Sequence, residues 1–97
     1  MSRTPIHPGE ILRDELKEIG INGAELSRQI HVPENRIPQI IAGKRSITAD
    51  TALRLGKWFG TTPAFWLNLQ KSYELRKAAR EIRKEIETIP TRAKEPA

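Results

Sequence analysis

The chain has 97 residues, is 30% charged and 37% hydrophobic, carries a net charge of +5 and contains no cysteine. That length suits one domain with at most a short appendage, and it buries roughly 60–70% of the unfolded surface, enough for one modest core. Disulfides, thiolate chemistry and thiolate-held zinc are excluded.

No apolar run approaches the roughly 20 residues of a membrane helix, and the opening MSRTPIHPGE lacks the apolar segment of a secretory signal. A cytoplasmic protein is expected. The two histidines, His7 and His31, lie far apart without ligand spacing, so neither a metal nor a cofactor is expected. Charge is unevenly spread: net −2 over residues 1–27, +4 over 28–57 and +3 from Trp58 onward. A concentrated positive field suits a polyanionic partner, although a solvated basic face has the same composition.

In chain order, Pro8 suits the first position of a helix, with Glu10 able to reach back to its bare amides. Leu12, Leu16 and Ile19 form one apolar stripe that stops at Gly20. Asn22 can cap a second helix over 23–30, with Glu25 as the other half of a capping box and Leu26 and Ile30 facing inward. A third helix over 34–42 turns Ile37, Ile40 and Ile41 inward and stops at Gly43. Pro38 interrupts it, which predicts a short or distorted start rather than a regular helix from Pro33 to Ala42.

A fourth helix follows a Thr48 cap through Ala52, Leu55 and Phe59 to Gly60. A fifth opens with Thr62 as cap and Pro63 at the first position, and carries Phe65, Trp66, Leu69 and Tyr73. From Leu75 a narrow stripe (Leu75, Ala79, Ile82, Ile86 and Ile89) runs between charged flanks at heptad-like steps. It can extend the fifth helix, pair with a second subunit or receive a partner. The closing PTRAKEPA offers nothing to pack and is expected to be mobile. No stretch alternates apolar and polar residues as a strand does. The expected fold is all-α, with a five-helix domain over 1–75 and a charged amphipathic extension over 76–97.

The second and third helices, joined by HVP, have the layout and spacing of a helix-turn-helix. A helix fits the major groove of B-form DNA, with its early residues at the base edges. With the apolar face inward, Glu34, Asn35, Arg36 and Gln39 point outward: Asn and Gln suit adenine, Arg suits guanine and Glu accepts from cytosine. Asn22 and Gly23, at the start of the second helix, together with Lys44 and Arg45 beyond the third, suit phosphate. Ser27 stands where many such motifs have alanine. His31 stands where the turn commonly has glycine, and is read as a partly exposed residue of a slightly different turn.

HPGEIL, IIAGKRSITADTALRL and FGTTPAFWLNLQKSYEL, in that order, resemble the HigA antitoxin family (virulence-associated protein I-like) of the phage-repressor-like (XRE) helix-turn-helix group. The resemblance covers roughly residues 5–75. It implies a homodimer that binds palindromic operator DNA, represses its own operon and neutralises a HigB-type, RelE-like toxin that cleaves mRNA. By position it assigns Glu34, Asn35, Arg36 and Gln39 to base reading, and Asn22, Gly23, Lys44 and Arg45 to phosphate. Ile41 stands where many repressor-like relatives carry glutamate, so any ion pair made by that glutamate is missing. The tail from about Arg76 matches little.

Beside these readings stand plainer ones. FWLNLQ fits core packing, with a dimer seam through Trp66, Leu69 and Tyr73 as its alternative. Arg54 and Lys57 fit a solvated face. Nothing has the spacing of a catalytic constellation, so a non-enzymatic protein is expected. The rivals to an antitoxin are a solitary regulator of the same fold, distinguished by the absence of a neighbouring toxin gene, and a helical adaptor that never touches DNA.

Overall fold

A computed structural model describes residues 4–93 and shows six helices: α1 (Pro8–Ile19), α2 (Gly23–Gln29), α3 (Arg36–Ile41), α4 (Ala49–Phe59), α5 (Pro63–Glu81) and α6 (Arg83–Glu87). No strand occurs among the described residues. α1 packs on α3 and α5, α2 on α3, and α4 on α5.

Local chemistry sets most helix ends. The Asn22 carboxamide accepts from Glu25 N at 2.8 Å, and the Thr48 and Thr62 hydroxyls accept from Thr51 N at 3.4 Å and Phe65 N at 3.2 Å. Gly20 and Gly60 close α1 and α4 in the left-handed conformation, at φ 87° and 76°. Two starts differ from expectation. His7, not Glu10, serves α1: its Nδ1 accepts from Gly9 N at 2.9 Å. Glu25 does not complete a capping box, because its carboxylate is taken by Arg28 and Gln29 on the following turn.

Leu12, Leu16, Leu26, Ile30, Ile37, Ile40, Ile47, Ala52, Leu55 and Trp66 form the core. Each large apolar side chain fully withdrawn from water contributes about 1.5–3 kcal/mol before conformational entropy is counted. Ile19, expected inside, is 49% exposed, because it is the last residue of α1 and no element covers it there. Trp66, read as a possible dimer-seam residue, is only 1% exposed; its ring lies beside Phe59 and its indole N–H donates to the Thr61 hydroxyl. It belongs to the core of its own chain.

At Gly9 the backbone of α1 meets that of α3 directly. A Cβ on Gly9 would run into the Ile40 carbonyl, so HPGEIL needs its glycine for helix packing. Farther on, the buried Gln70 accepts from Ile47 N at 2.8 Å and donates to Glu74 at 3.0 Å, fastening the loop before α4 to α5.

α5 runs unbroken past residues 75 and 76, where the domain boundary is expected, and ends at Glu81. α6 follows it with no buried residue. Leu75, Ile82, Ile86 and Ile89 stay exposed, Leu75 at 71%. Residues 90–93 are exposed and have no regular structure; the rest of the tail expected to be mobile lies outside the described residues.

Burial holds the His7 imidazole below its ordinary pKa, with the Glu10 charge opposing the shift. The neutral ring accepts the Gly9 N–H, whereas protonation removes the acceptor and adds a positive charge at a helix start. A group whose folded pKa is lowered gives stability that falls as pH drops through the unfolded value, near 6.5. The loss stops once pH is below the folded value. Melting temperatures between pH 7.5 and 5.5 are expected to decline, and His7→Asn, which keeps a cap but does not titrate, should flatten that decline.

Candidate nucleic-acid interface

α3 is too short to hold itself, and its first-turn donors are matched one by one. Arg36 N donates to Pro33 O at 2.9 Å, Gln39 N donates to Asn35 O at 3.0 Å, and Pro38 has no N–H to satisfy. The remaining donor, Ile37 N, is served from α2: Ser27 Oγ accepts it at 3.1 Å while donating to Gly23 O at 3.0 Å. Asn35 makes no side-chain cap. Pro38 is therefore the third helical residue, in the turn whose amides lack intrahelical partners, and the short start follows from that.

The turn between α2 and α3 is built on His31 at φ +63°, the conformation a glycine would favour. The backbone shape is therefore that of the glycine turn, carried by an exposed histidine. Arg54 braces it: Nη1 donates to the carbonyls of Ile30 at 2.8 Å and His31 at 3.2 Å, and Nε donates to Asp50 at 2.8 Å. Arg54 is thus not simply solvated. Its guanidinium satisfies the end of α2 and holds the Asp50 carboxyl below the usual carboxylate range.

The four outward residues stand in different circumstances. Asn35 is exposed, and its side chain is not spent on capping. Glu34 is exposed and paired with Arg28 at 3.1 Å; Arg28 also holds Glu25 at 2.9 Å. The hydrogen bond from Arg28 is the main cause of the lowered Glu25 pKa. Arg36 leans on α4, with Nη1 3.5 Å from the Thr51 hydroxyl. Gln39 is half-buried, and its Oε1 accepts from Arg45 Nε at 3.0 Å.

The flanking residues are expected to meet phosphate. Asn22 uses Oδ1 in the α2 cap and is exposed. Gly23 has its missing side chain toward α3, where a Cβ would lie 3.3 Å from Ile37, Pro38 and Ile41. Its first service is therefore to helix packing, although its amide still begins α2. Lys44 is exposed and has no ion pair among the described residues. Lys44 and Arg45 are turned back along α3 by a Schellman closure: Gly43 at φ 76° donates to Ile40 O, and Lys44 N donates to Gln39 O at 2.9 Å.

Of the expected seam, Leu69 and Tyr73 are half-buried and border a shallow groove with Ile6 and Ile11. Sequence reasoning missed Ser27, Arg54 and Gln70 as supports. Their partners lie 10 to 24 residues away, beyond any local pattern.

No family model matches the chain. Virulence-associated protein I of Dichelobacter nodosus is 50% identical over 74 residues, which are 75% of this chain and 68% of that protein. A HigA-family addiction module antidote protein from Coxiella burnetii superposes with a TM-score of 0.89 at 49% identity, covering 94% of this chain and all of the other. The Pseudomonas aeruginosa antitoxin HigA, in a structure with the higBA promoter, gives 0.85 at 45% identity, over 89% and 96% of the two chains. With a framework shared over nearly its whole length, this chain belongs to the HigA antitoxin family of helix-turn-helix proteins.

Proposed function

We propose that the protein is a cytoplasmic, non-enzymatic, homodimeric antitoxin. It reads operator DNA through α3, represses its own operon and neutralises a HigB-type toxin of the RelE-like, mRNA-cleaving class. The observation that carries the DNA-reading part is the outward face of α3. It presents Asn35, whose side chain has no hydrogen bond among the described residues, with Gln39 one turn on, Arg45 beside Gln39 and an exposed Lys44 just past the C-terminal end. Amide side chains in a groove-sized helix read base edges, and flanking cations hold phosphate.

In this reading Asn35, Gln39, Arg36 and Glu34 face the bases, and Asn22, the Gly23 amide, Lys44 and Arg45 face the backbone. Dimer contact runs through Leu69 and Tyr73 but not Trp66, and would set two α3 helices about 34 Å apart, one turn of DNA. Residues 76–97 form an extension of the 1–75 domain. Its uncovered stripe is available to a second subunit or to the toxin.

Fluorescence anisotropy tests this with a labelled duplex from the region upstream of the protein's own gene and a scrambled duplex, at two salt concentrations. Preferential binding of the native duplex is expected, and equal weak binding to both would sink the operator-reading function. Asn35→Ala is expected to relax preference at one base position, costing about 1–3 kcal/mol. Lys44→Ala should weaken binding to all sequences alike and flatten the salt slope by about one unit. A change of base preference in Lys44→Ala would contradict this division of roles.

A further inference from the structure

We infer that Arg45 is a positioning residue for base reading: it fixes which face of the Gln39 carboxamide is shown to DNA. The inference rests on the operator-reading function above. A glutamine with a free amide serves adenine by giving its NH2 to N7 and taking the N6 amino group on its oxygen. Here the oxygen is turned back, accepting from Arg45 Nε at 3.0 Å. A charged donor makes this a stronger tie than a bond between neutral groups.

Two features keep the pair in place. Gln39 is half-buried on α3, so its stem has little freedom, and the Schellman closure at Gly43 brings the chain back so that Arg45 lies beside it. The Lys44 N–H that closes the turn bonds to the carbonyl of Gln39 itself. One residue is thus tied to the turn through its backbone and its side chain.

With Oε1 occupied, Gln39 presents its NH2 group outward. It then suits best a base edge that offers two acceptors, the O6 and N7 of guanine, whereas toward adenine it keeps the donation to N7 but loses the bidentate geometry, because one lone pair of Oε1 is committed to Arg45. Arg45 thereby sets specificity at a base it need not touch. It does so in addition to any phosphate contact, and the two roles separate experimentally.

The test is a double-mutant cycle of Arg45→Ala and Gln39→Ala in the full chain. Affinity is measured for the upstream duplex and for duplexes carrying each of the four base pairs at the position where Gln39→Ala loses discrimination. Wild type is expected to favour guanine over adenine there. Arg45→Ala should raise the relative affinity for adenine about tenfold. In the Gln39→Ala background, Arg45→Ala should leave discrimination unchanged and lower affinity for all duplexes alike, with a flatter salt slope. Equal weakening of all four duplexes by Arg45→Ala with Gln39 present would overturn the inference. So would an effect on discrimination that survives the loss of Gln39. A wild-type protein with no sequence preference would remove the operator-reading function and this inference with it; that failure shows in the wild type, whereas failure of the inference alone shows only in the variants.

Discussion

A single hydroxyl on α2 satisfies the buried amide at the start of α3. Ser27 donates to the carbonyl at the start of its own helix and accepts the Ile37 amide of α3, in a site with no access to water. α3 has only six residues, too few to be stable alone. Its first turn lacks a side-chain cap of its own, and Pro38 removes one of the donors that would have needed a partner. Serine on α2 and proline on α3 are thus complementary answers to one requirement, that a buried amide be satisfied. Packing by Leu26, Ile37 and Ile40 then fixes the angle at which α3 leaves the scaffold.

Much of this framework is legible in the chain. Asn22, Thr48 and Thr62 cap where short-range patterns place them, and Gly20, Gly43 and Gly60 end helices because each needs a positive φ. Such signals work within one helical turn, and so does the periodicity that marks Leu12, Leu16, Leu26 and Leu55 as core. What escaped the sequence depends on contacts between distant segments. A buried Gln70 reaching Ile47, an Arg54 reaching Ile30, and a glycine at position 9 that only the Ile40 carbonyl explains all require the tertiary arrangement first. His7 as a cap was hidden for another reason: an imidazole in its neutral form is a rarer acceptor at a helix start than the hydroxyl and amide side chains that dominate there. For Trp66 the helical spacing favours the core over a seam, and its burial decides between the two.

The candidate interface was legible as a set of positions but not as a network. The positions follow from the helix-turn-helix spacing. Their states do not: Glu34 is paired with Arg28, Arg36 rests on α4, and Gln39 is oriented by Arg45, which leaves Asn35 as the member without a side-chain partner among the described residues. Among the described residues, four positions that look independent in the sequence are therefore one side chain without a partner and three whose orientation is set by neighbours. Substitution at a neighbour reaches the face as surely as substitution on it.

The contact between Gly9 and Ile40 has a mechanical side. Side chains between two helices act as cushions, since their rotamers can shift to absorb a small displacement of either backbone. Between the start of α1 and the end of α3 there is no cushion, only main chain against main chain. A displacement of one backbone there meets the other directly. On one side of the contact is α1, whose Arg13, Asp14 and Glu15 are exposed, and on the other is α3, which carries Gln39 and follows Asn35.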